Sequence, residues 1–409
     1  MPFASGAFGQ LRYIVETVSG TTPATGNGVN LRNTGQTLKA AVATVSSAEI
    51  ASHRMATGQT RTDLDVDGGF NFEMQGKEYD PFIEAVLGTA YTHYGTLGLG
   101  AVFGLTTAAL LVTAAVAPTT TSAFSNLTVG SWFKLVPPVG ATQAQKDYFA
   151  DAWFKVASTT STTVALDSLT PITGAGLGIT AVAGYAISQS ATQNGASLTR
   201  AFTLEYSMPD IGRFLAFRGL QANMMDIDFQ VGAITTGTFG FIGRGHDGML
   251  SATTLPGSPV ASQTLEVMNG VSDIGMLMEN GVNVLSAGSF IKSVKFSISN
   301  GLRAQKALGV FGSVGIGSGM LEVTGTLEMF VQDSTHYNRW FTGASTSVVI
   351  GFADAVGNGY LIELEKVNFT DGSFTPGGAS DDASLSLPFK AFYNAATARG
   401  IRLTRAIAA

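Results

Sequence analysis

Two stretches of the chain alternate between apolar and polar residues with a period of two, which predicts strands with one buried and one solvated face. The first stretch is 63–75. We call its alternate apolar positions the apolar parity, and they are Leu64, Val66, Gly68, Phe70, Phe72 and Met74. Its polar parity is Asp63, Asp65, Asp67, Asn71, Glu73 and Gln75. The solvated face of this predicted strand therefore carries acidic residues and no basic residue.

The second stretch repeats this pattern much later in the chain. Its apolar parity is Leu321, Val323, Gly325, Leu327, Met329 and Val331, and its polar parity is Glu322, Thr324, Thr326 and Glu328. Leu64 maps onto Leu321 with an offset of 321 − 64 = 257, and the same offset maps Gly68 onto Gly325. A helix is predicted after each strand. An offset of 258, one residue more than between the strands, maps Phe82 of the first helix onto Trp340 of the second. In the first of these helices, we expect Asp80 as the cap and Pro81 as the first helical residue.

Each alternating stretch is also followed by two apolar segments that predict further strands. The segments are 201–206 and 238–242 after the first stretch, and 360–367 and 385–392 after the second. We interpret this as an all-β chain in which one β-rich unit with one short helix occurs twice, and about 95 residues are inserted into the first copy. Turn-rich short strands within the insert predict a small β-barrel or sandwich.

The sequence divides the chain into five predicted parts. The first is an N-terminal arm, which contains a predicted strand at 11–16. A strand predicted within 37–54 would pair with 63–75 as a long hairpin whose tip lies near 56–61. The predicted parts are an arm at 1–36, a first unit at 37–100 and 196–245, an insert at 101–195, a linker at 246–284 and a second unit at 285–409.

Composition agrees with a β-rich fold and limits the function. Only 13% of the residues are charged, where about 25% is usual. The net charge of −6 argues against gripping nucleic acid through its phosphates. The chain has no cysteine, which excludes disulfides, thiolate metal sites and a cysteine nucleophile. The apolar run 101–117 is shorter than the roughly 20 residues of a membrane span and has no basic flank, so we expect buried β-structure there.

Candidate catalytic and metal motifs each have a simpler structural explanation. The sequence Asp63-x-Asp65-x-Asp67-Gly68 opens like an EF-hand loop, but its twelfth position is Met74, where calcium needs a bidentate Glu. The glycines of 312–319 lack the Lys-Ser/Thr of a phosphate loop and predict a hairpin instead. The four histidines lack metal-ligand spacing. We therefore predict no enzyme activity, no cofactor and no metal.

The shape of the predicted units suggests a different role. Long hairpins leave unpaired edges that must be hidden, and a closed ring of hairpins removes every edge. The solvated parity would then face a lumen, whose candidate lining residues are Asp63, Asp65, Asp67, Glu73, Glu322 and Glu328. Such a lumen would be acidic and would repel DNA, whereas a basic lining would hold DNA through its phosphates.

Several stretches together resemble the major tail tube protein of long-tailed bacteriophages (siphophages). They are ETVSGTTPATG, LRNTGQTL, SSAEIASHR, DGGFNFEM and DPFIEAVLG within 16–88, and ISNGLRAQKALGVFGSVGIGSGMLEVTGTLEMF and GNGYLIELEKVNF within 298–369. The resemblance covers most of the chain outside the insert. It implies a β-sandwich with one helix and a long lumenal hairpin, assembled into stacked rings that conduct DNA.

The resemblance also implies the partners and the location of the protein. With two units in each chain, the ring would be a homotrimer with pseudo-sixfold symmetry, and the insert would decorate its outside. The partners would be further copies of the chain, the tape measure protein, the tail terminator and the distal tail protein. DNA would pass without specific binding, no membrane would be involved, and the virion tail would be built from chains made in the host bacterial cytoplasm.

Two alternatives remain open from the sequence. The chain could instead form the tube of a gene transfer agent or of a phage-derived injection device, which the sequence does not distinguish from a phage tail. It could also be a secreted β-rich carbohydrate-active protein, although that class predicts an export signal and a cleft with paired carboxylates. The N-terminus shows no such signal, and Glu322 and Glu328 are explained by a solvated strand face.

Overall fold

A computed structural model describes most of the chain outside the insert, and β-strands predominate in the described part. The described residues are 3–50, 52–53, 55–93, 111–113, 128–136, 153–159, 163–166, 186–187, 189–193, 198–285, 290–355, 357–377 and 382–406. Pairing is antiparallel throughout the ladders between the strands. The all-β class predicted from the alternating pattern is confirmed.

The strands and helices are numbered along the chain. Those before the insert are β1 (Gln10–Glu16), β2 (Val29–Leu31), β3 (Gly35–Gln36), β4 (Lys39–Ser46), β5 (Gln59–Glu73), α1 (Asp80–Leu87) and β6 (Thr92–His93). Those of the insert are β7 (Leu111–Thr113), β8 (Trp132–Phe133), β9 (Leu135–Val136), β10 (Phe154–Thr159), β11 (Thr163–Leu166), β12 (Ala186–Ile187) and β13 (Gln189–Gln193).

The chain then completes the first repeat and forms the second. The next strands are β14 (Ala201–Met208), β15 (Arg213–Gln230), β16 (Thr236–Gly243), β17 (Gly245–Leu250), β18 (Ile274–Glu279), β19 (Val282–Asn283), β20 (Ile291–Ser299), β21 (Arg303–Gln305) and β22 (Gly315–Gly317). The last elements are β23 (Glu322–Phe330), α2 (Thr335–Thr342), β24 (Thr346–Ala353), β25 (Gly359–Phe369), β26 (Ser373–Thr375), β27 (Ser384–Ala391) and β28 (Ile401–Ala406).

The two repeats have the same strand order, which confirms the duplication predicted from the 257-residue offset. In the first repeat, neighbouring strands pair in the order β1–β14–β15–β16–β5–β4. In the second repeat, they pair in the order β18–β24–β25–β27–β23–β20. The equivalent strands β17 and β28 each add to the long strand of their repeat, β15 or β25.

One ladder joins the repeats into a continuous sheet. The second half of β15, from Met224 to Gln230, pairs with β20 of the second repeat from Ser299 back to Ser293. The first half of β15 pairs with β14 and β17, so this strand belongs to both layers of the first repeat. Because of these shared strands, twenty strands belong to one hydrogen-bonded network.

The apolar parity of β5 packs into a core between two sheet portions and α1. Phe82 of α1 lies at the centre, with ring centroids 5.3 Å from Phe70 of β5, 4.8 Å from Tyr13 of β1 and 4.7 Å from Phe202 of β14. Aromatic pairs at these separations add to the stabilisation from buried area. The predicted apolar faces of the strand and the helix are therefore both in the core.

The cap of α1 differs from the prediction by one residue. Tyr79 is the N-cap and makes no side-chain capping bond, and Asp80 is the first helical residue. The Asp80 carboxylate instead accepts a hydrogen bond from Tyr360 and pairs with Arg405, both in the second repeat. The prediction that Asp80 caps the helix was wrong, because Tyr360 and Arg405 compete for its carboxylate.

The first hairpin also differs from its prediction. β4 ends at Ser46 and β5 begins at Gln59, so the connecting loop spans 47–58 and begins earlier than the predicted tip. Ser47 Oγ accepts from the Glu49 backbone at 3.2 Å, and the Glu49 carboxylate accepts from Thr57 Oγ1 at 3.0 Å. Local side-chain bonds of this kind compete with the strand ladder and close the loop.

Residues outside the two predicted units contribute strands to the sheet. β1, within the predicted arm, pairs with both β14 and β2. Within the predicted linker, β17 pairs with β15 and β18 pairs with β24. Buried Glu205 holds the following segment by accepting hydrogen bonds from Thr253 and Thr254. The five-part division of the chain stays a prediction, but 1–36 and 246–284 are not merely connecting segments.

The described part of the insert packs against the second repeat. Trp132 and Trp153 are buried in a cluster with residues of β18, β24, β25 and β28. β13, at the end of the insert, pairs with β28 and with β6. The remainder of 101–195, including most of the apolar run 101–117, lies outside the described residues. Among the residues that are described, no helix is long and apolar enough to cross a membrane.

Candidate functional site

An extended surface is formed by the solvated side of an eight-strand run that crosses both repeats. The run has the order β4–β5–β16–β15–β20–β23–β27–β26. We call the side that carries Asp67, Asp226, Ser297 and Glu328 the polar face, because these side chains alternate with buried residues such as Val66 and Ile227. The polar faces of the two repeats are therefore one continuous surface.

All six residues predicted to line a lumen lie on the polar face. β5 carries Asp63, Asp65, Asp67 and Glu73, and β23 carries Glu322 and Glu328. Each is exposed or partly exposed, while the apolar residues between them are buried or partly buried. Three strands, β16, β15 and β20, separate the two groups. The structure thus places the six residues on one face, and whether this face lines a lumen stays a prediction.

Lysines from neighbouring segments partly neutralise the acidic strands. Lys306 Nζ lies 3.0 Å from Asp63 Oδ1 and 2.7 Å from Asp65 Oδ1. The hydrogen bond from Lys306 is the main cause that holds the pKa of Asp63 below its usual value. Asp67 has a lysine partner across the strand pair, because Lys39 Nζ lies 3.4 Å from its Oδ1. The stretch 63–75 itself carries no base, but the polar face as a whole is mixed in charge.

The second repeat follows the same arrangement. Lys390 of β27 forms an ion pair with Glu322 of β23. Glu328 accepts a hydrogen bond from Ser293 Oγ at 3.2 Å. Both repeats therefore place a lysine on a strand adjacent to the acidic strand, which lowers the electrostatic cost of the like charges along that strand.

Sequence reasoning missed the residues at the centre of the polar face. Asp226 and Asp228 of β15 lie next to Lys295 of β20, whose Nζ is 3.2 Å from Asp228 Oδ2. An open groove of about 840 Å³ follows this junction, with lining residues from both repeats. The signal was present, since Met225, Ile227 and Phe229 alternate with the two acids. It is a shorter alternating pattern than those at 63–75 and 321–331.

The eight-strand run ends in two open edges. β4 pairs only with β5, and β26 pairs only with β27, among the strands that the structure describes. β4 is exposed along nearly its whole length, whereas its equivalent β20 is covered on its second edge by β15. Unpaired edges of this kind are templates for pairing with another chain.

The two helices also differ in exposure, in the opposite sense to β4 and β20. In α1, which lies where the repeats meet, Tyr79 before the helix is 0% exposed and Ile83 is 1% exposed. The residues 258 positions later, Tyr337 and Phe341 of α2, are 39% and 75% exposed. The first repeat therefore has its helix covered, and the second repeat presents the equivalent apolar surface to solvent.

The ionisable clusters in the described part of the chain make structural contacts. Burial raises the pKa of Asp80 to about 6, against the opposing effect of Arg405, and this buried carboxylate joins the repeats through Tyr360 and Arg405. No group of His, Cys, Asp or Glu that could hold a metal ion is found in the part of the chain that the structure describes. The Asp63, Asp65 and Asp67 side chains stand along one strand face and are engaged by lysines, unlike ligands around a calcium loop.

Comparison with known proteins was made on the whole sequence. A family model described as "Phage tail tube protein" matches residues 6–391. No curated protein matches the chain. The matched range runs from the N-terminal arm through β27 and includes the insert, whereas β28 of the second repeat lies beyond it.

Proposed function

We propose, from the premise that this chain belongs to the phage tail tube protein family, that it is the repeating subunit of a long, hollow tail that conducts DNA. Membership in the family makes the chain a structural tail component that assembles with itself. The finer proposal has three parts: a ring of three chains, a polar face turned to the lumen, and passage of the genome through stacked rings. Each part has its own support in the described residues.

Ring formation is supported by the continuous eight-strand run with its two open edges. A single observation carries it: β15 of the first repeat pairs with β20 of the second, so one chain already contains one complete contact between repeats. Repetition of this contact between chains would pair β26 with the start of the β4 edge of the next chain and continue the sheet around the ring. If the ring holds six repeats, as the resemblance to tail tubes implies, three chains complete it.

A lumenal position for the polar face is supported by its character. The opposite side of these strands forms the buried core with α1, so only the polar face is free to line a conduit. Its acids Asp63, Asp65, Asp67, Glu73, Glu322 and Glu328 give the lining a negative surplus that weakens attraction to phosphates. The lysines beside them reduce this surplus. We infer a weakly acidic lining along which DNA moves without specific binding.

The proposed partners are further rings of the same chain, the tape measure protein, the tail terminator and the distal tail protein. The family match favours a tube over a secreted carbohydrate-active protein. A gene transfer agent or a phage-derived injection device would use the same ring and the same lumen, and the genes beside this one would distinguish them. A structural role, with no reaction catalysed, agrees with the paired state of the ionisable clusters.

The experiment that tests this proposal is negative-stain electron microscopy of the purified chain over a range of concentration, with end-on views averaged. We expect hollow rings or short tubes with three outer lobes, one for each insert. Solid particles or monomers at every concentration, also when the other tail proteins are supplied together, would contradict a tube subunit. Six lobes would retain the tube and contradict the trimer.

A further inference from the structure

We propose that β26 of one chain pairs with the 37–41 segment of the next chain, in the register with which β15 pairs with β20 inside each chain. This inference rests on the proposed ring and names the strands, the residue pairs and the surfaces that close it. The occupant of each open edge is thus a second copy of this chain.

The first step finds the residue of the second repeat that is equivalent to Asp226. Asp226 pairs with Thr238, and Thr238 pairs with Asn71 on β5. The 257-residue offset maps Asn71 onto 71 + 257 = 328, which is Glu328 on β23. Glu328 pairs with Ser386, and Ser386 pairs with Ser373 on β26. Ser373 therefore occupies the position of Asp226 on the polar face.

The second step finds the residue of the first repeat that is equivalent to Ser297. Ser297 of β20 pairs with Thr324 on β23. Subtracting the offset gives 324 − 257 = 67, and Asp67 of β5 pairs with Lys39 on β4. Lys39 therefore occupies the position of Ser297. Because Asp226 pairs with Ser297 within the chain, we infer that Ser373 pairs with Lys39 of the next chain.

Exposure of the core-facing side chains agrees with this register. Ile227 lies opposite Phe296 in the ladder between β15 and β20, and both are about 2% exposed. The equivalent of Ile227 is Phe374, which is 50% exposed in the single chain. In the proposed ladder, Phe374 lies opposite Leu38 of the next chain, so its ring gains the cover that Phe296 gives Ile227.

The helices supply an independent second observation. The start of α1 contacts the second repeat, because Asp80 bonds to Tyr360 and Arg405, while Tyr79 before the helix packs on Phe72 of its own repeat. α2 leaves Tyr337 and Phe341 exposed at the equivalent positions. The same contact, made once more between chains, would bring the first repeat of the next chain against α2. Trp340 of α2 lies against Gly372, next to β26, so the proposed contact would bring the next chain close to α2 as well as to the open edge.

Engineered cysteines test the register directly, because the chain has none of its own. The test variant is Ser373→Cys with Lys39→Cys, which places both thiols on the polar face and away from the core. A mismatched variant, Ser373→Cys with Ala43→Cys, shifts one thiol by four residues, about 13 Å along the strand. Disulfides need Cα atoms within about 7 Å. An internal reference, Asp226→Cys with Ser297→Cys, makes the same pair within one chain.

Each variant is assembled, oxidised and run on a denaturing gel without reducing agent. We expect the test variant to give covalent dimers and closed trimers, the mismatched variant to give monomers, and the internal reference to give a monomer of altered mobility. A second pair, Thr375→Cys with Thr37→Cys, replaces the first if that variant fails to assemble. Tubes whose test pairs do not cross-link, or cross-link no better than the mismatch, would overturn the register and leave the tube proposal intact.

The failure of the proposed function has a different signature. If the unmodified chain forms no ring under any condition, the proposed ring and the proposed register are both contradicted. If cross-linked ladders extend to six chains, the strand pairing is supported and the trimer is contradicted. Intact tubes with matched cross-links confined to three chains would support both proposals together.

Discussion

The Tyr360 hydroxyl donates a hydrogen bond of 2.9 Å to Oδ1 of Asp80 and so connects the two repeats of the chain through buried groups. The other carboxylate oxygen of Asp80 pairs with Arg405, and the Lys77 backbone N–H donates to the Tyr360 hydroxyl at 2.8 Å. The start of α1 is thereby fixed to β25 and β28. Because the repeats share this junction and one sheet, we expect them to unfold together.

The Asp80 carboxylate should make stability depend on pH in a defined window. Burial raises its pKa in the folded chain from 3.8 to about 6, so the folded state holds its proton more tightly than the unfolded state. Its contribution is therefore largest below pH 4 and is lost as the pH rises through 6. The expected loss of unfolding free energy as the pH rises from 4 through 6 is about 2–3 kcal/mol.

The Asp80→Asn variant isolates this contribution, because its side chain does not titrate. We expect the unfolding free energy of the unmodified chain, relative to that of the variant, to fall between pH 4 and pH 7. Urea unfolding monitored by tryptophan fluorescence at several pH values measures the difference. A difference that stays constant across this range would show that Asp80 keeps an ordinary pKa.

Substitutions at equivalent helix positions should separate chain stability from ring assembly. Ile83→Ser places a hydroxyl in the core and should destabilise the chain by roughly 2–5 kcal/mol. Phe341→Ser changes an exposed residue, so the free energy of unfolding should stay within about 0.5 kcal/mol of the original. We expect the second variant to fold normally and to assemble poorly, as measured by thermal unfolding and sedimentation. Normal assembly of Phe341→Ser would remove α2 from the interface between chains.

Proline in the middle of β5 should abolish folding. Val66 pairs with Ala40 on one side and Gly243 on the other, so its strand is internal to the sheet. Proline removes a backbone donor there, which a central strand does not tolerate. The same holds for Val323→Pro in β23, which lies between β20 and β27.

The matched control is Val66→Thr, which keeps the donor and the branched shape and costs about 1–3 kcal/mol. Circular dichroism and limited proteolysis of the soluble fraction distinguish the two. A folded, protease-resistant Val66→Pro chain would show that β5 is not an internal strand.

Reversal of the charges on β5 should hinder DNA passage. The variant Asp63→Lys, Asp65→Lys and Asp67→Lys turns the strand face basic and places like charges beside Lys306 and Lys39. We expect virions with normal tails to deliver DNA more slowly, because a basic lining holds phosphates.

Two controls separate the lumen charge from the loss of the Lys306 contact. The Asn triple variant removes the acids without adding bases, and Lys306→Ala breaks the ion pairs of Asp63 and Asp65 while leaving the strand acidic. Infectivity and the rate of DNA ejection are measured for all three on tails of equal length. Unchanged ejection in the Lys triple variant would place this part of the polar face outside the DNA path.

The insert should contribute to the stability of the second repeat. Trp132 is 1% exposed, and its Nε1 donates to Glu363 at 3.2 Å, while Glu363 also pairs with Arg402. We expect Trp132→Ala to cost roughly 3–5 kcal/mol by leaving a cavity and an altered polar cluster. An unfolding midpoint close to the original would show that the insert is attached without supporting the core.

Alternation along single strands made much of the fold predictable. The parities of 63–75 and 321–331, the two short helices and the following strands were all found from local periodicity and from the offset between the repeats. Periodicity assigns faces, and faces decide what is buried, so the cores of both repeats could be read from the sequence.

Features that depend on distant partners could not be read in this way. Asp80 looks like a cap until Tyr360 and Arg405 are placed beside it. The pairing of β15 with β20 depends on which edges remain open after each repeat is complete, and strand parity does not select a partner. For the same reason, the lysines that face the acidic strands became visible only with the strand order.

The central claim is that three chains close a ring whose lumen is lined by the polar face. Cryo-electron microscopy of assembled tubes, reconstructed without imposed ring symmetry, tests this claim most directly. We predict three chains per ring, with β5 and β23 in the lumen wall, Asp67 and Glu328 turned toward the channel, and β26 paired with the 37–41 segment of the next chain. A ring of six chains, or a wall in which these acids face the outside, would contradict it.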